Sequence, residues 1–240
     1  MSTSRQSWIG MLLAGLIIAA WSCLHVYAIF FVDAAGLPLS ALLVTVLTWL
    51  SVGLFIIAHD AMHGSLCPAS QRAGDITGWL ALLLYAGFCF STLRPKHHLH
   101  HRYPGSADDP DFAALSPTRA LAWYGRFMTT YFKSREMFFM VARTGFYALA
   151  GAKVENILLF FAVPGILSSL QLFYFGTFLP HRHIEGGEGR DDFADAHHAR
   201  SNEVGYLASL LSCFHFGYHH EHHLHPSAPW WYLPRLRQRP

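Results

Sequence analysis

Long apolar stretches alternate with short polar segments along the chain, and this pattern predicts an all-α membrane protein. Residues 8–32 and 39–58 form two apolar runs, and about 20 such residues are enough for a helix to cross the hydrocarbon core of a bilayer. Gly36 and Pro38 lie between the runs and favour a turn. The first run is too long for the apolar region of a typical signal peptide. The two runs therefore predict an antiparallel pair of transmembrane helices.

A third apolar run, residues 76–93, would also be predicted to span the membrane from its hydropathy alone. Histidine-rich segments flank it, at 59–63 and 97–101, and a complete crossing would separate them by about 30 Å. Because we expect the two segments to act together, we predict that residues 76–93 are interfacial or re-entrant. Gly78 and Gly87 are the positions that would allow a bend.

The apolar pattern in the second half of the chain predicts two further membrane crossings. Residues 137–150 are short for a span and contain Arg143, whereas residues 154–179 are long enough and contain a Pro-Gly pair that favours a kink. The apolar segment 204–214 is predicted to be a packing helix. With about four spans, every Lys and Arg except Arg143 and Lys153 lies on the histidine side. The positive-inside rule makes that side cytoplasmic, so we expect a multi-pass protein of the cell inner membrane.

Composition agrees with a membrane domain and excludes some functions. The chain has 240 residues, 52% hydrophobic and 13% charged, with a net charge of +2. Soluble domains are about a quarter charged, and so small a charge does not indicate a nucleic-acid partner. We predict one domain, residues 1–240. The four cysteines are isolated from one another and are predicted to be reduced, buried thiols. No glycine-rich dinucleotide motif follows a strand, and no CxxCH haem motif is present.

The histidines are the candidate functional residues, since the chain contains 17 of them. They form one HxxxH box and two HxxHH boxes. On a helix, positions i, i+3 and i+4 share a face, so each box can present its imidazoles to one centre. Eight imidazoles are too many for one zinc ion, which takes about four ligands, and they suit two metals with open positions. Imidazole binds iron, copper and zinc alike. The predicted ligands are His59, His63, His97, His100, His101, His219, His222 and His223.

Other polar residues near the boxes are weaker candidates. His181 ends a predicted span and is the best ninth ligand, with His183 as its competitor. His215, His197 and His198 also remain candidate ligands. Ligand imidazoles need partners that fix their orientation, and the predicted partners are the carboxylates Asp60, Glu221 and Asp108. A solvated turn explains the acidic run 108–111 equally well. By their helical phase, His98, His220 and His225 are predicted to lie outside the ligand set.

The sequence resembles the family of bacterial β-carotene 4-ketolases, within the membrane fatty-acid desaturase and hydroxylase superfamily. The matching stretches run in order from the first box almost to the end of the chain. They are HDAMHG (59–64), LRPKHHLHHRYPG (93–105), DPDF (109–112), FLPHR (178–182), HHARS (197–201), FHFGYHHEHHLHP (214–226) and PWWYLP (229–234).

This resemblance implies an enzyme with two iron ions that uses O2. It would oxidise the ring methylene at position 4 of β-carotene to a ketone through two successive hydroxylations, giving echinenone and canthaxanthin. Rings that are already hydroxylated, as in zeaxanthin, would give astaxanthin. The family's ligands carry over to the eight box histidines, and with them to His181. Expected partners are the carotenoid, membrane lipid and an external electron donor such as ferredoxin with its reductase. Six aromatic residues could line a carotenoid cleft, although each could equally face lipid or pack in the core: Phe55, Phe88, Phe90, Phe173, Tyr174 and Phe175.

Two other classes of function remain open from the residues alone. A membrane fatty-acid desaturase or hydroxylase, or a carotenoid hydroxylase, would share every histidine box. A histidine-rich metal transporter or a haem-binding subunit would place its ligands midway along the spans. Only His25 lies there, and it is predicted to be a packing residue.

Overall fold

A computed structural model describes residues 1–184 and 193–237, and the regular structure within them is helical. All four cysteines are free, but the predicted burial holds only for Cys67 and Cys213, since Cys23 is exposed and Cys89 is half-buried. The predicted loop 186–202 lies partly outside the described residues. The helices are, in chain order, α1 (Thr3–Phe31), α2 (Leu37–Met62), α3 (Gln71–Tyr85), α4 (Phe90–Arg102), α5 (Ala120–Tyr131), α6 (Ser134–Leu149), α7 (Val154–His181), α8 (Tyr206–Cys213), α9 (His219–Leu224) and α10 (Leu233–Leu236).

Three of these helices, α1, α2 and α7, are long and apolar enough to cross a membrane. The pair α3 and α4 is bent by 102° and would make a fourth crossing if the pair is counted as one span. Helix α6, which covers the predicted span 137–150 except for its last residue, has 16 residues. At 1.5 Å per residue it is about 24 Å long, which is shorter than a hydrocarbon core of about 30 Å.

The third apolar run is broken rather than straight, as the position of the histidine boxes predicts. The break between α3 and α4 contains Gly87, whose φ of +71° favours glycine. The expected role of Gly78 is wrong, because this residue lies inside α3. A Cβ there would come within 2.6 Å of the Ala61 Cβ, so Gly78 permits close packing of α3 on α2 and does not bend the chain.

Arg94 fixes α4 against the end of α2. Its guanidinium donates to the carbonyl oxygens of Met62 and Ala61, both at 3.1 Å, and pairs with the Asp75 carboxylate at 2.7 Å. The last carbonyls of a helix lack partners within the helix, and a cation is favourable there. One side chain therefore connects α2, α3 and α4 where the first two histidine boxes meet.

A buried polar group connects α1 to α6. The His25 ring stacks on Trp21 with centroids 4.4 Å apart, and its Nε2 lies 2.8 Å from the Tyr147 hydroxyl. Arg143 donates to the same hydroxyl at 2.6 Å and lies over the ring of Phe161. These contacts give His25 the packing role that its isolation predicts, and they give Arg143 of α6 its partners.

The predicted packing segment 204–214 forms α8, and a tight reversal follows it. Phe214 and His215 have φ values of +49° and +61°, a conformation that non-glycine residues rarely adopt. Phe214 stacks on Trp49 of α2 with centroids 4.4 Å apart. This packing holds the reversal in place and directs α9 back towards the ends of α2 and α4.

Candidate metal centre

The histidine boxes meet in two adjacent clusters, in each of which the candidate ligand atoms lie within 4.8 Å of one another. The first cluster contains five histidines and the second contains four. The structure thus brings together all nine histidines predicted as ligands. The first cluster is His59, His63, His97, His101 and His222, and the second is His100, His181, His219 and His223.

Each HxxHH box divides between the two clusters, so the expectation that one box serves one centre is wrong. On α4, His97 and His101 join the first cluster and His100 joins the second. On α9, His222 joins the first cluster, whereas His219 and His223 join the second. A helix turns by about 100° per residue, so neighbouring box residues point to opposite sides of the shared helix face.

Ring nitrogens converge inside the clusters, and some of them are buried without a hydrogen-bond partner among the described residues. The Nε2 atoms of His63 and His97 are 2.6 Å apart, and those of His219 and His223 are 3.1 Å apart. Both ring nitrogens of His59 are buried without a hydrogen-bond partner, as is Nε2 of His181. Buried polar atoms without partners are rare in native proteins. A cation in each cluster would satisfy these nitrogens, so the residues fit a pair of metal ions.

Burial keeps the imidazoles of α9 ready to bind a metal. His219, His222 and His223 are all buried. Burial, followed by the charges of neighbouring imidazoles, holds the pKa of each ring well below its usual value of 6.5. A metal binds the neutral ring, so these side chains do not have to lose a proton near neutral pH.

Asp109 is the carboxylate that orients a cluster imidazole, which corrects the choice of Asp108. Both Asp109 oxygens lie 3.0 Å from Nδ1 of His100, and the amides of Gly105 and Asp111 donate to Asp109. Burial acts to raise the pKa of Asp109, but His100 and the two amides outweigh it and lower that pKa. Asp108 is exposed, and its amide donates to Ser106. The sequence DPDF contains Asp109, but its spacing does not say which carboxylate faces inward.

The other two predicted carboxylates make backbone and hydroxyl contacts. Asp60 accepts from the Trp230 amide at 3.1 Å, and its nearest oxygen is 3.6 Å from Nδ1 of His59, beyond hydrogen-bond distance. Glu221 accepts a short hydrogen bond from Ser201. Both residues hold the segments that carry the boxes, whereas Asp109 contacts an imidazole directly.

The remaining candidate histidines lie outside both clusters. His198 supports the site through its backbone, because its carbonyl accepts from Nδ1 of His181 at 2.7 Å. The His197 ring is 6.2 Å from that of His223. His183 lies against Phe112. The buried His215 ring contacts Tyr206. Outside the clusters too are His98, which bonds the Met62 carbonyl, and His220, which bonds Asp195.

A cavity of about 380 Å³ reaches both clusters from the apolar interior. Its wall contains His59 and His97 of the first cluster and His100 and His219 of the second. Most of the remaining wall is apolar. Ligand cavities of this kind bury an apolar molecule and orient it with a few polar groups. The other lining residues include Met62, Tyr85, Leu93, Tyr124, Phe127, Tyr131, Phe132, Met140, Ile166, Leu172 and Phe216.

The cavity wall only partly matches the aromatic residues predicted to line it. Phe55 and Phe88 do line it. Phe90 packs where α3 meets α4, and Phe173 belongs to a separate core with Trp123. Tyr174 is exposed and Phe175 packs on the main core. These last four residues were wrong as lining residues because their phase on the helices turns them away from the cavity.

The cavity wall also contains Tyr131, which the sequence does not single out, and Asp111 of the acidic run 108–111. The Tyr131 hydroxyl donates a short hydrogen bond to Asp111. Burial and the adjacent Asp111 raise the pKa of Tyr131, so the phenol keeps its proton. Burial also raises the pKa of Asp111, and the charge of Asp109 adds to this effect. Tyr131 lies 30 positions or more from every histidine box residue, so only the fold could reveal it.

Comparison with known proteins gives consistent matches along the chain. The fatty acid desaturase family model matches residues 33–149 and 132–239. A beta-carotene ketolase from Paracoccus sp. (strain PC1) is 49% identical, over 98% of this chain and 95% of that protein. A beta-carotene ketolase from Paracoccus sp. (strain N81106 / MBIC 01143) is 51% identical, over 95% of this chain and 92% of that protein. A zeaxanthin 4-ketolase from Chlamydomonas reinhardtii is 38% identical, over 95% of this chain and 53% of that protein.

Proposed function

Since the chain belongs to the fatty acid desaturase family, and within it to the group of the beta-carotene ketolases, we propose that it is itself a ketolase of β-carotene. The methylene at position 4 of the β-ionone ring would become a ketone. The observation that carries this proposal is the apolar cavity whose wall includes histidines of both clusters. A hydrocarbon ring that enters the cavity is brought to the one place where metals could oxidise it.

The nine clustered histidines are the residues that would hold two iron ions, one in each cluster. When bound and reduced by an external donor such as a ferredoxin, iron supplies the activation of O2 and the oxidation of the ring C–H bond at position 4. Imidazole suits iron, and five and four imidazoles leave positions for a further ligand. The Asp109 carboxylate and the His198 carbonyl would fix the orientation of His100 and His181.

The protein's share of the chemistry is to orient the ring and exclude water. Each oxidation consumes one O2, two electrons and two protons, adds one oxygen atom to the carbon and releases one water. Two such oxidations give a geminal diol, which loses another water to leave the ketone. The wall residues Phe55, Phe88 and Phe216 exclude water from this region. They also pack against the apolar ring, and this contact would hold the same carbon near the histidines for both rounds.

The arrangement in the membrane follows from the position of the site. We infer a single domain, residues 1–240, in the cell inner membrane, with α1, α2, α6 and α7 as its crossings. Helix α6, at 16 residues, would cross with the help of local bilayer thinning. The bent pair α3 and α4 would remain on the histidine side. That side contains nearly all the Lys and Arg and would face the cytoplasm, where soluble electron donors are found.

Product analysis tests this function directly. Cells that make β-carotene would receive the gene, and a red ketocarotenoid should accumulate. A His222→Ala variant should make none, since it removes a first-cluster ring. A His220→Ala variant on the same helix should retain activity, because His220 bonds Asp195 outside both clusters. Full activity of His222→Ala would overturn the proposal. A hydroxylated carotenoid without ketone would indicate a carotenoid hydroxylase, and altered lipid chains would indicate a fatty-acid desaturase or hydroxylase.

A further inference from the structure

One hydrogen-bonded polar pair lies at the histidine end of the apolar cavity. Asp111 and Tyr131 both line it, and Asp111 is the only carboxylate among the described lining residues. The Tyr131 hydroxyl donates to one Asp111 oxygen, and the other is 3.8 Å from Nδ1 of His100. The phenol is therefore separated from the second cluster by a single carboxylate.

Tyr131 is held in place from several directions. The Lys96 ammonium lies 4.8 Å from the centre of its ring and donates to the Thr130 carbonyl at 3.2 Å. The Phe127 ring packs beside it with centroids 4.8 Å apart. A phenol oxygen that donates one hydrogen bond can still accept another. The residue thus presents a fixed acceptor to whatever occupies the cavity.

The substrate changes its need for a polar partner during the reaction. An unsubstituted ring has no polar atom, whereas the alcohol formed by the first oxidation has a hydroxyl group. In an apolar cavity an unpartnered hydroxyl is costly, and it would favour release of the alcohol into the lipid. An acceptor beside the histidines would oppose that release.

We propose that the Tyr131–Asp111 pair binds the hydroxyl of this ring alcohol and retains it for the second oxidation. The proposal rests on the proposed ketolase function. In it, Tyr131 donates to Asp111 while its oxygen accepts from the alcohol. The pair therefore decides whether the enzyme releases an alcohol or a ketone, and contributes little to the first oxidation, in which the ring has nothing to donate.

The same cavity contains a matched control. Tyr124 is also on α5, seven residues earlier, and its hydroxyl lies 2.7 Å from the Ser169 hydroxyl. Both residues line the cavity, but their partners do not include any clustered histidine. Tyr124→Phe removes a phenol hydroxyl from the same wall without altering the polar pair at the histidine end.

The test measures products in cells that make β-carotene. In Tyr131→Phe, the ratio of ring alcohol to ketone, measured at equal consumption of β-carotene, should rise roughly fivefold, as expected for the loss of one hydrogen bond. Tyr124→Phe should keep the wild-type ratio. An unchanged ratio in Tyr131→Phe, or an equal rise in both variants, overturns the proposal. A wild-type protein that makes no ketone would instead overturn the ketolase function.

A second measurement needs no variant and covers the case in which Tyr131→Phe does not accumulate. The wild-type enzyme in membranes would be supplied with β-carotene and, separately, with the carotenoid hydroxylated at position 4. The KM should be about fivefold lower for the hydroxylated ring because of the added hydrogen bond. Equal KM values, or a higher KM for the hydroxylated ring, would show that the pair does not retain the alcohol.

Discussion

His101 and His223 stack on each other with ring centroids 4.2 Å apart and planes 22° apart. His101 belongs to the first histidine cluster and His223 to the second. The contact places the two clusters side by side, so ions held in them would be close neighbours.

Removing His181 should empty one cluster and spare the other. His181→Ala deletes one of four rings from the second cluster and none from the first. Elemental analysis of the purified protein should therefore show iron falling from about two ions to about one per chain, since a ligand set of three holds the ion less well. His183→Ala is the control, because His183 lies outside both clusters, and it should retain both ions. Equal loss from both variants would contradict the division into two clusters.

Asp109→Asn should weaken metal binding, and Asp108→Asn should not. Asp109 orients His100, and loss of such a partner typically lowers metal affinity or activity by about 10- to 100-fold. Asp108 is exposed, so its variant should stay within about twofold of the wild type. Iron retained against a chelator measures the difference. The prediction fails if the two variants lose iron at the same rate.

The metal-free protein should lose stability as the pH falls below about 6.5. The pKa values of His219, His222 and His223 are lowered by burial, so the folded state leaves them neutral. The histidines of the unfolded chain take up protons as the pH falls through about 6.5, so acid favours unfolding. The buried neutral rings therefore cost no stability above that pH and lower the stability of the folded state below it. After chelation, the Tm should be lower at about pH 5.5 than at about pH 7.5.

A pair of variants assigns this pH dependence to the buried rings. His222→Gln removes one buried imidazole and should reduce the difference in Tm between the two pH values. His225→Gln removes an exposed ring and should leave the difference unchanged. A Tm that rises on acidification would show that the clustered rings are charged in the folded state.

Gly87→Ala should destabilise the break between α3 and α4. Gly87 has a φ of +71°, and a Cβ there would lie 2.2 Å from the Phe139 ring. A non-glycine residue in such a conformation costs about 1–3 kcal/mol, and the clash adds to that cost. Gly145→Ala on α6 meets nothing within 4 Å and should be neutral or slightly stabilising. Thermal unfolding in detergent compares the two, and similar Tm values would refute the prediction.

Gly165→Leu should block the substrate without removing the metals. Gly165 lines the cavity, and open space surrounds the position of its missing Cβ. A leucine there would fill part of a cavity of about 380 Å³. Ketone formation should fall at least tenfold while iron content stays at the wild-type level. Gly125→Leu also meets open space at its Cβ, lies outside the cavity wall and should keep its activity.

The sequence by itself predicted the candidate ligand histidines and the break in the third apolar run. Spacings of three and four residues identified the box histidines, and the end of an apolar run identified His181. The need for His63 and His97 to meet predicted that residues 76–93 could not form a straight span. The structure shows that run broken between α3 and α4. These inferences were possible because helical periodicity and bilayer thickness depend only on the spacing of residues along the chain.

Tertiary structure alone decided how the histidines divide, which carboxylate supports them and where the cavity lies. His100 and His101 are neighbours in sequence but belong to different clusters, because the direction in which α4 packs determines which centre each ring faces. Asp109 supports a clustered histidine and Asp108 does not, because the turn before α5 buries only Asp109. Tyr131 reaches the site through the packing of α5 near α4. Such contacts join residues that are distant in sequence, and no spacing along the chain encodes them.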